Sequence, residues 1–112
     1  MARTMFEKIW DAHVVLERAD GQTLLYVDRH LCHDGSFNGF ATLHAKGLKL
    51  RRPDLTWGSP DHYRPTDARS LSDIKEPELA NKIALFEKNA TEAGMHHYGL
   101  DSEKMGIVHV IG

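Results

Sequence analysis

The chain has 112 residues, with 14 Lys and Arg against 16 Asp and Glu and a formal net charge of −2. That near balance argues against an electrostatic grip on nucleic acid or on an anionic membrane, each of which needs a basic excess on one face. A single cysteine, Cys32, excludes an internal disulfide framework and any cysteine-rich metal centre built from this chain alone; no apolar run reaches signal-peptide or membrane-spanning length, so the expectation is one small cytoplasmic α/β piece.

Thr4 and Glu7 form a Thr-x-x-Glu capping box, and Phe6, Ile9, Trp10 and His13 follow at helical spacing, which predicts a helix over 5–14. Asp20-Gly21 is a turn signal. Thr23 to Val27 has the look of a short buried strand, ending in Asp28-Arg29-His30, polar groups where a parallel strand would deliver them to a site. Ser36 is placed to cap a second helix carrying Phe37, Phe40, Ala41 and His44, with Gly47 as its stop. Leu55 to Gly58 reads as another strand, followed by a proline-bounded loop that holds Asp61-His62.

The third helix has the clearest signals: Pro77 at its first position, Glu78 at the positive end of the dipole, an apolar series Leu79, Ile83, Phe86, Ala90 and Ala93, and Gly94 as a left-handed cap. Met95 to Leu100 and Gly106 to Gly112 read as two further strands. Helix and apolar strand thus alternate, the pattern of a layered α/β fold. A strand ending at the chain's own edge favours a sequence that has been cut.

Histidine is over-represented, with eight residues, and it is the side chain for proton transfer near neutral pH and for metal ligation. Asp28, Arg29, His30 and His33 combine a guanidinium that can grip carboxylates with imidazoles that can move protons; the competing reading is a solvated strand end. Asp61 beside His62 can fix the imidazole's tautomer and raise its basicity, or be a turn aspartate before an exposed histidine. His109, among β-branched residues and glycines, is either a core histidine or one directed at a cleft. His96 and His97 are neighbours on a strand and would face opposite ways, so they are read as structural, as is Cys32.

Taken together, the motifs resemble the start of the large subunit of 3-isopropylmalate dehydratase, of the aconitase superfamily. The resemblance is carried by Thr-Met-Phe-Glu-Lys-Ile-Trp-Asp-Ala-His-Val-Val near the N-terminus and by Leu-Tyr-Val-Asp-Arg-His-Leu-x-His at 25–33. Asp61-His62 with Pro65 and Thr66, and Gly-Ile-Val-His-Val-Ile-Gly at 106–112, complete it. It covers 1–112 and implies a layered α/β/α domain present only in part. It further implies a hydro-lyase that interconverts 2- and 3-isopropylmalate in leucine biosynthesis through isopropylmaleate. A [4Fe–4S] cluster on three cysteines would serve as Lewis acid, and a small subunit would be the partner. None of the cluster ligands lies in this chain, so the segment alone is expected to be inactive.

By the same resemblance His62 protonates the leaving hydroxyl, Asp61 orients it, and His109 shares the cleft as an acid–base or hydrogen-bonding partner. Asp28, Arg29, His30 and His33 line or support the substrate side. The loop departs from the family at Tyr63-Arg64, where Asn-Val is more usual. Two alternatives stay open: a homoaconitase-type hydro-lyase segment, and a free-standing histidine-rich module for a divalent metal or a carboxylate ligand.

Overall fold

The structure is a computed structural model that describes residues 2–112. The capping box forms as expected: Thr4 Oγ1 accepts from the Glu7 amide at 3.2 Å, and Glu7 Oε2 accepts from the Thr4 amide at 2.7 Å. They start helix α1, Met5–His13, which buries none of its residues fully. Strand β1, Val14–Glu17, follows directly and pairs antiparallel with β2, Thr23–Leu25, across the Asp20-Gly21 turn. Gly21 adopts φ +84° there, a left-handed conformation that suits glycine.

The expected strand at 23–27 is therefore shorter, antiparallel and not buried. Leu24, Leu25, Tyr26 and Val27 are all exposed. A two-stranded ribbon presents two faces, and the described residues supply only α1 to lie near one of them. The parallel strand lies a few residues further on.

That strand is β3, His30–His33, and with β4, Thr56–Ser59, and β5, His96–His97, it forms an all-parallel sheet in the order β3-β4-β5. Helix α2, Phe37–Ala45, connects β3 to β4, and α3, Pro77–Ala93, connects β4 to β5. Both crossovers pack on one face of the sheet. Cys32 presents its buried thiol there, and Phe40, Phe86, Ala90 and Met95 close over it. A second cluster, Ala68, Ile74, Ile83 and Leu100, ties the long β4–α3 connection to the start of α3. The expected periodicity of α3 holds: Ile83, Phe86 and Ala90 are buried, and Gly94 caps the helix at φ +69°.

Gly58 is where helix and sheet approach most closely. A Cβ built there would lie 2.8 Å from Phe86 Cζ, 2.9 Å from Met95 Cε and 3.1 Å from the Cys32 carbonyl oxygen. Gly58→Ala is therefore expected to destabilise the chain by about 1–3 kcal/mol, the usual cost of overpacking, measured by urea unfolding. An unchanged midpoint would show that α3 does not sit this close to β4.

The expected strand at 106–112 is a helical turn instead, α4, Val108–Ile111. Backbone bonds from Val110 and Ile111 to the Ile107 carbonyl, and from Gly112 to Val108, close it. A short apolar run does not distinguish a strand from a buried helical turn by periodicity. A distant carboxylate decides the matter: Asp61 Oδ2 accepts the Val108 amide at 2.7 Å and satisfies a donor that the turn leaves free. The expected strand at Met95 to Leu100 is real only over His96–His97. No helix among the described residues is long and apolar enough to cross a membrane.

Candidate active site

The carboxyl ends of parallel strands are where open α/β sheets place their sites, and β3 and β4 end side by side. His33, the last residue of β3, pairs in register with Ser59, the last of β4. Two residues after Ser59 the chain reaches Asp61-His62. The imidazoles of His33 and His62 stack, with centroids 3.7 Å apart and planes at 11°. Asp34, fully buried, lies beneath them and accepts the amides of His62 (3.1 Å) and Tyr63 (2.8 Å), one on each oxygen.

The hydrogen bonds assign the tautomers. His33 Nδ1 accepts the Gly35 amide at 2.9 Å, so it carries no proton, and the ring's N–H is at Nε2. Gly35 leaves space for this contact, since a Cβ there would fall 2.5 Å from His33 Cε1. His62 Nδ1 donates to Asp61 Oδ1 at 2.9 Å. Asp61 is thus shared between His62 and Val108, and its side chain is only 7% exposed while that of His62 is 52% exposed. Nε2 of His62 is the nitrogen left to take or give a proton.

The electrostatics agree. The hydrogen bond to Asp61 raises His62 above its ordinary 6.5, against burial and with help from the charges of Asp61 and Asp34. For Asp61 burial is the largest influence and pushes upward. Hydrogen bonds from His62 and the Val108 amide, with the charges of His62 and His33, outweigh it and hold the carboxyl below its ordinary 3.8. A raised imidazole contributes stability that is full below the ordinary value and is lost as pH climbs through the folded one. A lowered carboxyl contributes stability that is full above its ordinary value and is lost as pH falls through the folded one. The pair is accordingly expected to stabilise the chain most between pH 3.8 and 6.5. Urea unfolding across pH checks this: the wild type shows the maximum and Asp61→Asn flattens it, whereas identical profiles would show an uncoupled pair.

Of the other expected site residues, Arg29 lies 4.7 Å over the Trp57 ring and donates to the Gly112 carbonyl, next to α4. His109 is exposed on α4, directly after the residue whose amide Asp61 holds. Asp28 is not with the pair. It accepts from His13 Nε2 at 3.0 Å, while His13 Nδ1 is 2.6 Å from the Ile9 carbonyl, and these bonds, Ile9 first, raise the His13 pKa. His30 is on the opposite sheet face from His33, since three residues along a strand reverse the side. It sits 3.6 Å from Cys32 Sγ, near Phe40 and Leu43. No sequence motif marks Asp34; its place in the site follows from β3 ending at His33.

His33, Asp34, Asp61 and His62 bring potential ligand atoms within 4.8 Å of one another, the geometry a metal ion would require at minimum. A metal ion would compete there with hydrogen bonds already made. Both oxygens of Asp34 and of Asp61 accept hydrogen bonds, and His33 Nδ1 does too. His33 Nε2 carries the ring's proton in this tautomer, which leaves His62 Nε2 as the imidazole nitrogen of the pair with a free lone pair. The arrangement suits proton transfer better than ligation.

A carboxylate-oriented imidazole at the ends of parallel strands is an arrangement compatible with general acid–base chemistry. The chain belongs to the aconitase family: the model described as "Aconitase family (aconitate hydratase)" matches residues 7–112. Among its relatives are proteins named 3-isopropylmalate dehydratase large subunit. The one from Phocaeicola vulgatus is 42% identical over all of this chain, that from Bacteroides fragilis 43% over 97%, and that from Flavobacterium johnsoniae 39% over all of it. In each case the chain spans 24% of the relative's length. No solved structure matches it.

Proposed function

We propose that this chain is the segment of a 3-isopropylmalate dehydratase large subunit that supplies the acid–base pair Asp61–His62. The observation that carries the reading is the His62 Nδ1 bond to a buried, doubly bonded carboxylate at the end of β4, in a chain 42% identical to a protein of that name. In dehydration of 2-isopropylmalate, a base outside this segment takes the proton from the neighbouring carbon as the C=C bond forms, and His62 Nε2 gives its proton to the departing hydroxyl, which leaves as water. In rehydration at the neighbouring carbon the same nitrogen takes a proton back. Asp61 holds the ring and stabilises its charged form. His33, stacked on His62, keeps its Nε2–H as a donor available to a substrate oxygen. Arg29, bound to the Gly112 carbonyl beside α4, and His109 on α4 are proposed to serve the substrate side, with Asp28 and His30 in supporting roles further from the pair.

The full enzyme of this family is proposed to carry a [4Fe–4S] cluster and a small-subunit partner, in the cytoplasm. This chain does not fit such a cluster: it has one cysteine where three thiolates are needed. Cys32 is buried, which pushes its thiol pKa up and disfavours the thiolate. No step of the cluster is therefore assigned to it.

The test is a chimera in which residues 1–112 replace the matching segment of the Phocaeicola vulgatus large subunit, assayed with its small subunit. The proposal expects isomerisation of 2-isopropylmalate with isopropylmaleate as the intermediate. A chimera with full iron content that processes only a homologous tricarboxylate would assign the segment to a homoaconitase-type enzyme instead.

A further inference from the structure

Asp34 is fully buried, yet both of its partners lie across the molecule in sequence, on the amides of His62 and Tyr63. Those amides belong to a stretch with no helix or strand of its own, so Asp34 supplies the acceptors that regular backbone pairing does not. The carboxylate is itself fixed. It opens the 3-10 turn Asp34–Ser36, which the His33 amide closes onto Ser36 Oγ at 3.2 Å. Two charge-assisted bonds from one planar group set both the position and the rotation of the loop backbone at 62–63.

We propose that Asp34 is the positioning residue of the acid–base pair: its carboxylate pins the backbone of His62 and Tyr63 to the end of β3 and so aims His62 at its partner Asp61 and against His33. Asparagine cannot take over this role. Its amide oxygen accepts one of the two N–H groups, and its NH2 then faces the other donor. The inference rests on the proposed function only for its catalytic meaning, since the pinning itself is a property of this chain.

The experiment is amide hydrogen exchange and imidazole NMR on the 112-residue chain, wild type and Asp34→Asn. In the variant, the amides of His62 and Tyr63 are expected to exchange on the order of tenfold or more faster relative to those of β4. The low-field Nδ1 proton of His62, the signature of its bond to Asp61, is expected to be lost; a residue that merely stabilised the fold would leave it in place. Unchanged protection and an intact Nδ1 signal in a folded variant would overturn the proposal. If Asp34→Asn does not fold, native-state exchange of the wild type decides. The two amides should open only with the core and with its urea dependence, and fast, urea-independent opening would overturn the pinning. Failure of the proposed function would instead leave exchange as expected and appear only in the turnover of the chimera.

Discussion

His62→Ala in the chimera is expected to lower turnover of 2-isopropylmalate by about 10²–10⁴-fold, the usual contribution of a positioned acid–base group. Iron content should be unchanged, because no cluster ligand lies in this segment. The expected size follows from the geometry. Hydroxide is a poor leaving group, and His62 Nε2 is the free nitrogen of a ring whose other nitrogen is tied to Asp61 at 2.9 Å. The raised pKa keeps the ring charged to higher pH than an ordinary histidine, so the loss should be seen across the neutral range. Asp61→Asn should cost less, since the imidazole remains but loses its orientation and its basicity. Normal turnover in His62→Ala would remove this residue from the chemistry.

Phe86→Ala is expected to be the most damaging core substitution, at about 3–5 kcal/mol. Phe86 is 2% exposed and fills the space between α3 and the sheet, with its ring tip against Gly58. Truncation leaves a cavity among Cys32, Phe40, Ala90 and Met95, which pack with Phe86 in one cluster. Against a total stability of about 5–15 kcal/mol for a small domain, that loss is large. It also reaches the site, since β4 leads into the loop that holds Asp61 and His62 a few residues beyond Gly58. Val110→Ala, at an 81% exposed position, serves as the control and should shift stability by no more than about 0.5 kcal/mol. Urea unfolding of both variants checks this, and a Phe86→Ala change below that of the control would contradict the packing described.

Local signals in the sequence translated well into structure where they rest on short-range chemistry. The Thr4–Glu7 box, the Asp20-Gly21 turn and the Pro77 start and Gly94 stop of α3 all reflect hydrogen bonds or backbone angles within a few residues. The α/β class followed from the alternation they create. Elements that tertiary contacts decide are not legible in local signals. The apolar run at 23–25 pairs with Val14–Glu17 in an exposed ribbon, and the parallel strand begins at His30 instead. The rule that placed polar residues at a strand's carboxyl end was sound, but it applies to His33-Asp34 and not to Asp28. His30 and His33 looked like companions, yet the pleat puts them on opposite faces. Residues 106–112 have strand composition and form a helical turn because Asp61 holds the Val108 amide, a contact 47 residues away that no local pattern encodes.

The acid–base assignment stands on the state of one ring, and an imidazole 15N–1H titration of His62 in the 112-residue chain reads it directly. The expected result is a neutral form protonated at Nδ1, a pKa above 6.5, and a return toward 6.5 in Asp61→Asn. A ring protonated at Nε2 when neutral, titrating at or below 6.5 and indifferent to Asp61→Asn, would contradict it.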